Sequence, residues 1–214
     1  MTIRTTSDLT DRLDRELAWR KKELSDLKYY IDLTPANAAR RKVLGRCAVA
    51  MLYAHWEGFV KIAGRCFLEF VAMQRLRNEQ LHPNLLTLSM RHQVKLPDTA
   101  RKLSDFGKIT EFFLSGIGRR SAIPFKSAVD TRSNLSSSQL QEIVWCLGLD
   151  YAAYETKEHF IDSVLLGRRN SVAHGEGMIV DPDEFDAMRD HVIEMMTTLK
   201  TQMENAAVLK TYMK

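Results

Sequence analysis

The chain of 214 residues is 45% hydrophobic and 27% charged, with ten glycines and five prolines. This length suits one domain, or one domain with a helical appendage, and the composition allows a buried core. So few glycines and prolines argue against a turn-rich β-sandwich. No uncharged apolar run reaches the roughly 18 residues of a membrane helix, and residues 1–5 do not begin a signal peptide. We therefore expect a soluble, cytoplasmic protein with no membrane partner.

The charge is unevenly distributed along the chain. Residues 1–120 carry 22 Lys+Arg and 13 Asp+Glu, a net +9, whereas residues 121–214 carry 9 and 14, a net −5. A basic half is typical of proteins that bind a polyanion, most commonly nucleic acid. Solvated basic helix faces, such as residues 20–22 and 40–42, would give the same imbalance, so both interpretations stay open.

The three cysteines, Cys47, Cys66 and Cys146, are widely spaced and lie in apolar helical patterns. No CxxC pair occurs, so the sequence indicates neither a zinc site nor a disulfide framework. We expect three buried, reduced thiols, with no metal site and no cofactor.

Apolar residues recur at three-, four- and seven-residue steps, which indicates amphipathic helices. The first helix is predicted from Asp8 to about Ile31, and the proline of Thr34-Pro35 ends it. A second is predicted over about 37–77 and would span about 60 Å at about 1.5 Å per residue. An element of that length, interrupted by three glycines, favours packing against several neighbours or against a second subunit.

The middle of the chain is less regular. Residues 82–98 contain two short apolar runs that fit either strands or a loop. A helix is predicted over about 98–115 and a connector over 121–134. A capping box predicts the start of a helix over 136–147, with Gly148 as its C-terminal cap.

Two further helices close the chain. One is predicted over about 156–174, with inward-facing Phe160, Val164, Leu165 and Val172. The second opens at residues 181–184, which combine an N-cap, a proline at the first helical position and an acidic first turn. Its predicted inward residues are Phe185, Met188, Val192, Met195, Leu199, Met203 and Ala206. The pattern predicts an all-α bundle, in which an N-terminal helix, 1–34, packs on a helical domain, 35–214.

The segment 167–175 reads GRRNSVAHG and crowds basic and polar side chains at a helix end. A histidine can act as general acid or base near neutral pH, and an arginine can neutralise phosphate charge bidentately. RNA supplies its own nucleophile in the 2′-hydroxyl, so Arg169 and His174 match the needs of phosphodiester cleavage without a metal. The alternative is structural: a positively charged helix end that complements the macrodipole, with His174 as a polar cap.

The string RNSVAH at 169–174 resembles the R-x4-H signature of HEPN domains. The string WEGFVK at 56–61 resembles the E-x3-K motif on an earlier helix of many HEPN ribonucleases. The surroundings, from 130–135 through 145–149 to the arginine motif, are similar to the MAE_28990/MAE_18760-like HEPN group. The resemblance spans about residue 40 to the C-terminus, and the ordered pair of motifs on predicted helices is its most specific feature.

The resemblance implies an α-helical bundle of long antiparallel helices that dimerises and cleaves RNA without metal, leaving a 2′,3′-cyclic phosphate. By that analogy His174 serves as general acid/base, Arg169 holds the scissile phosphate, and Asn170 orients one of them or contacts RNA. Glu57 and Lys61 support the site from the long helix. The same two residues are also spaced as an ordinary i,i+4 surface pair.

Arg168, beside the motif, is a candidate RNA-binding residue.

Three functions remain open. The leading one is a metal-independent HEPN endoribonuclease acting as a toxin or antiviral defence effector, with an antitoxin or operon partner. The second is a non-catalytic HEPN module that dimerises or binds a partner or RNA. The third is a general nucleic-acid-binding protein that uses the basic half, whose affinity would fall steeply with salt.

Overall fold

Three long helices form the body of the protein. The computed structural model describes residues 2–35, 39–94, 102–177 and 180–214, with only the backbone described at 182–183. Helix α1 covers Thr6–Asp32, α2 covers Ala39–Met73 and α8 covers Pro182–Leu209. Each of the three packs against the other two. With 35 residues at about 1.5 Å each, α2 spans about 52 Å and provides the surface on which the shorter helices assemble.

Local sequence signals fix the ends of α1 and the buried face of α8. The Thr5 hydroxyl accepts a hydrogen bond from the Asp8 amide, and the Asp8 carboxylate accepts from the Thr5 amide, a reciprocal capping box. On α8, all seven residues predicted to face inward are buried. Their spacing keeps one apolar stripe against α1 and α2, as a 3.6-residue period requires. The division into an N-terminal helix, 1–34, and a helical domain, 35–214, stays a prediction. Helix α1 contributes buried leucines to the common core.

The irregular middle of the chain is helical where it is described, which corrects the strand-or-loop expectation for 82–98. Helix α3 covers Pro83–Val94, preceded by a 3₁₀ turn at Asn78–Gln80. Pro83 occupies the first helical position, where its missing N–H costs nothing. The remainder of that stretch, residues 95–98, lies outside the described residues.

Beyond the gap, α4 covers Leu103–Glu111 and continues as a π-helical turn, Phe112–Gly116. Residues 98–101 of the helix predicted over 98–115 lie outside the described residues. None of the α4 side chains is buried, so this helix lies at the periphery of the bundle.

In the second half of the chain, helix α5 covers Ser137–Leu147, α6 is a single turn at Ala152–Glu155, and α7 covers Gly167–Ala173 directly after a π-helical stretch, Phe160–Leu166. Of these, α5, α7 and the π-helical stretch between them pack on α2. Gly148 ends α5 with a left-handed φ of 70°, as predicted.

The predicted capping box of α5 is only half formed. The Ser136 hydroxyl accepts from the Gln139 amide, but the Gln139 side chain donates to the Asp130 carbonyl at 2.8 Å. The π-helical stretch also changes the predicted inward face of the following helix. Its i→i+5 bonding rotates the stripe, so Ile161 and Leu165 are fully buried. Phe160, Val164 and Val172 are half-buried.

The three glycines of α2 lie against this chain's own neighbours. A Cβ at Gly45 would lie 3.2 Å from the Val180 side chain, and one at Gly64 would lie 3.0 Å from Val129. Gly58 lies beside the Arg20 guanidinium. These glycines therefore allow close packing inside one chain, and they do not support the predicted homodimer.

The cysteine prediction is right for Cys66, which is buried, and wrong for Cys47, which is exposed; Cys146 is half-buried. Cys47 lies on the side of α2 that its neighbouring helices leave open. All three thiols are free. In the part of the chain that the structure describes, no helix is long and apolar enough to cross a membrane.

Candidate active site

His174 lies at the end of α7, in a turn that presents it to solvent. It occupies the C-cap position and its amide donates to the Asn170 carbonyl at 2.9 Å. Gly175 follows with φ of 76°, and the amides of Gly175 and Glu176 donate to the Val172 and Ser171 carbonyls. These paired bonds form a Schellman motif, which requires a left-handed residue at the position of Gly175. The imidazole is therefore exposed on a defined turn.

Arg169 extends from α7 to the connector that precedes α5. Its Nη2 donates to the Ser133 carbonyl at 2.8 Å and to Asn134 Oδ1 at 2.7 Å. Its guanidinium carbon lies 4.3 Å from the centre of the Tyr53 ring. This distance is that of a cation–π contact. Two hydrogen bonds and one ring face thus restrict the orientation of the guanidinium plane.

Glu57 takes a partner other than the one the sequence suggested. Its Oε1 accepts a hydrogen bond from the hydroxyl of buried Thr131 at 2.5 Å. Lys61, one turn further along α2, is exposed. Among the described residues no ion pair joins Glu57 to Lys61. The predicted support of the site by a Glu57–Lys61 pair is thus replaced by a bond from Glu57 to the connector.

Tyr53 links the two motifs, and no sequence motif singles it out. It precedes Glu57 by one turn of α2, and its hydroxyl accepts the Leu135 amide at 2.6 Å. Burial raises the pKa of the Tyr53 phenol; the Arg169 guanidinium and the Leu135 amide lower it in part, and the negative charge of Glu57 raises it. The phenol therefore lies between the arginine of one motif and the glutamate of the other.

The connector segment that receives these contacts has an unusual backbone. Arg132 and Ser133 have φ of 51° and 57°, left-handed values that residues other than glycine rarely adopt. The Arg132 amide donates to Asp130 Oδ1 at 2.9 Å, which favours this turn locally. Bonds from Glu57 and Tyr53 hold the segment from the other side. We name Asp130–Leu135 the clamp segment.

The other polar residues of the motif are turned to different partners. Arg168 forms an ion pair with Glu184 at the start of α8. The hydrogen bond and charge of Arg168 lower the pKa of the Glu184 carboxyl. Asn170 is half-buried and contributes its carbonyl to the turn at His174. The structure thus unites Arg169 and Glu57 around Tyr53, and it directs Arg168 and Lys61 elsewhere.

A cavity of about 560 Å³ lies on the other side of the clamp segment, between α3 and α5. Its polar wall includes Arg91, His92 and Arg132, together with the carboxylates of Asp130 and Glu142. Basic side chains therefore adjoin the segment that holds Arg169. Over the described residues, no three His, Cys, Asp or Glu side chains group as metal ligands would.

The described residues form an all-α bundle of long and short helices, which is the fold of a HEPN domain. The chain matches the RiboL-PSP-HEPN family over residues 15–205, and it belongs to that family. HEPN domains are often ribonucleases, and they commonly bind RNA or form dimers. The narrower assignment to the MAE_28990/MAE_18760-like group stays a prediction.

No curated protein and no solved structure matched the chain in the two other comparisons.

Proposed function

We propose that this protein is a metal-independent endoribonuclease that uses Arg169 and His174. One observation carries the proposal: Arg169 is held by α2 and the clamp segment, while His174 of the same motif stands exposed on a Schellman turn. A fixed cation and an accessible imidazole are the two groups that phosphodiester cleavage of RNA needs. Family membership adds support, since HEPN domains are often ribonucleases.

The proposed reaction is an attack of the RNA on itself. An imidazole takes the proton of the 2′-hydroxyl, whose oxygen then bonds to the adjacent phosphorus. The bond from phosphorus to the 5′-oxygen breaks, and a second acid gives that leaving oxygen a proton. The products are a 2′,3′-cyclic phosphate and a 5′-hydroxyl. In a homodimer, His174 and the partner subunit's His174 would supply the base and the acid in one composite cleft.

Arg169 has the electrostatic role in this scheme. Negative charge accumulates on the non-bridging oxygens as the phosphorus becomes five-coordinate, and a guanidinium fixed beforehand stabilises it without reorganising. Asn170 shapes the turn that places His174, and Glu57 holds the clamp segment on which Arg169 rests. Lys61 and Arg168 would contact RNA outside the reacting phosphate, together with the basic first half of the chain.

A toxin or antiviral defence role follows from the same proposal, because an unrestrained endoribonuclease damages its host. An antitoxin or operon partner would restrain it. Induced expression in a bacterial host should arrest growth, and His174→Ala should relieve the arrest at equal protein level. Growth arrest that persists undiminished in that variant would separate toxicity from cleavage.

A non-catalytic HEPN module is the second candidate, and one observation favours it. Arg169 Nη2 is already bonded to two acceptors of its own chain, and Arg168 is paired with Glu184. A purely structural arginine would show the same contacts. This candidate predicts RNA or partner binding without cleavage.

An RNA digest distinguishes the two candidates. Purified protein, with EDTA present, is incubated with a mixed single-stranded and structured RNA. His159 provides the matched control, because it is an exposed histidine on the same helical stretch. We expect His174→Ala to lose roughly 10²- to 10⁴-fold in rate, the range of general acid–base catalysis, and His159→Ala to keep wild-type activity. Equal cleavage by His174→Ala and wild type would refute the assignment.

A further inference from the structure

We infer that Tyr53 and Asn134 are positioning residues that hold the Arg169 guanidinium in its working orientation. The inference rests on the proposed function in that Arg169 faces the scissile phosphate. It goes beyond the two motifs, because neither residue belongs to R-x4-H or E-x3-K.

The plane of the Arg169 guanidinium is set by the side chains and carbonyl around it. An arginine side chain has several rotatable bonds, and an exposed one samples many orientations. Here the face of the group is set by the Tyr53 ring, at 4.3 Å, and rotation within that plane is set by the bonds from Nη2 to Ser133 and Asn134. A ring on one face and two acceptors at one corner define a single orientation.

The Tyr53 ring is itself held in place. Tyr53 is 4% exposed, and its hydroxyl is bonded to the Leu135 amide at 2.6 Å. Burial restricts rotation of the ring, and the side chain cannot swing away without breaking its bond to the segment that also carries Asn134. Tyr53 thus binds both the guanidinium and the segment that supplies its hydrogen-bond acceptors.

The backbone of the clamp segment is held in an unfavourable conformation. Two successive non-glycine residues with left-handed φ are unfavourable by themselves and persist only where surrounding contacts over-determine them. Bonds from Asp130, Glu57 and Tyr53 provide those contacts. The carbonyl of Ser133, one of the two left-handed residues, accepts a hydrogen bond from Arg169. The strained backbone is thus directed to the arginine of the motif.

The test is a double-mutant cycle on RNA cleavage. Tyr53→Leu keeps the bulk and removes the ring face, and Tyr53→Phe keeps the ring and removes the hydroxyl. We expect Tyr53→Leu to lower kcat roughly 3- to 30-fold, as loss of a cation–π contact would, with KM little changed. Tyr53→Phe keeps the ring but loses the bond to the Leu135 amide, so it should lower kcat less than Tyr53→Leu does. In an Arg169→Ala background, Tyr53→Leu should cause no further loss, because its effect passes through the arginine.

Tyr212→Leu is the matched structural control. Tyr212 is 5% exposed and its ring packs edge-on against Phe70, away from α7. It should destabilise the fold without lowering kcat. An equal loss of kcat from Tyr53→Leu with and without Arg169 would overturn the inference and leave Tyr53 a packing residue.

Asn134→Ala should behave as Tyr53→Leu does in the same cycle.

A second readout needs no cleavage and separates this inference from the proposed function. The Nε–H resonance of Arg169, assigned by its loss in Arg169→Lys, should be ring-current shifted and slow to exchange in wild type and Tyr53→Phe. It should move to the position of a free arginine in Tyr53→Leu. If wild type does not cleave RNA but this pattern holds, the proposed function fails and the positioning stands. A free-arginine resonance in wild type would overturn the positioning itself.

Discussion

Gly175 allows the turn at His174 to be tested by a matched pair of substitutions. It has φ of 76°, and a Cβ added there would meet no atom within 4 Å, so Gly175→Ala changes backbone preference alone. Gly148 is its counterpart at the end of α5, with φ of 70° and the nearest atom 3.8 Å from an added Cβ. An L-residue in the left-handed region costs about 1–2 kcal/mol. Each alanine should therefore lower the free energy of unfolding by about that amount.

The two variants should differ in activity although they are equal in stability. Alanine at 175 favours a negative φ, which shifts the Schellman turn and moves His174, whereas alanine at 148 disturbs only the end of α5. We expect Gly175→Ala to lose at least about tenfold in kcat on RNA, equivalent to about 1.4 kcal/mol, while Gly148→Ala retains wild-type kcat. Gly175→Asn should recover part of the loss, because asparagine tolerates the left-handed region.

Urea denaturation measures the stability of each variant, and initial rates on a labelled RNA measure its activity. Equal kcat for Gly175→Ala and Gly148→Ala would refute the reasoning that the turn places His174 for catalysis. An unchanged free energy of unfolding in both would refute the backbone argument itself.

Three further predictions concern stability. Glu16→Gln leaves the guanidinium of Arg20, bonded to Glu16 Oε2 at 2.6 Å and 2% exposed, without its counter-charge, and should cost about 3–5 kcal/mol in urea denaturation. Burial lowers the pKa of His55, and the negative charge of Glu23 opposes this shift. The neutral imidazole therefore contributes fully to stability above about pH 6.5, and this contribution falls as the pH drops. His55→Gln should flatten the pH dependence of Tm between about pH 7 and pH 5. Gly107 lies inside α4, and no atom lies within 4 Å of an added Cβ. Gly107→Ala should raise the local stability of α4 by up to about 1 kcal/mol, and amide hydrogen exchange in α4 should slow accordingly.

The long helices were predictable because each signal repeats along many turns. On α8 a capped start is followed by an apolar stripe, and a single misread position would not change the assignment. Helix α3 was missed because its apolar run, Leu85–Leu88, is too short for periodicity to separate a strand from a helix. Ile161 was not predicted to be buried for a different reason. A π-helical stretch changes the period within one helix, and no residue in that stretch indicates the change.

The sequence singles out the residues proposed for the site, and it does not predict their contacts. Arg169 and His174 stand out because basic and polar residues crowd between two glycines. The contact of Arg169 with Tyr53 depends on how α7 approaches α2, which a one-dimensional pattern does not contain. The i,i+4 spacing of Glu57 and Lys61 predicted an ion pair, but the buried hydroxyl of Thr131 takes the carboxylate instead. A left-handed backbone at Ser133 has no sequence cue, since glycine is absent there.

End-group analysis of the cut RNA tests the central claim most directly. Wild-type protein, in EDTA, is given an RNA oligonucleotide and a version with a single 2′-deoxy nucleotide at the cleaved position, with His174→Ala alongside. We predict a 2′,3′-cyclic phosphate and a 5′-hydroxyl from wild type, no cut at the 2′-deoxy position, and cutting by His174→Ala that is slower by roughly 10²- to 10⁴-fold. Cleavage at the 2′-deoxy position, or 5′-phosphate ends, would contradict attack by the 2′-hydroxyl, and equal cutting by His174→Ala would contradict the role given to His174.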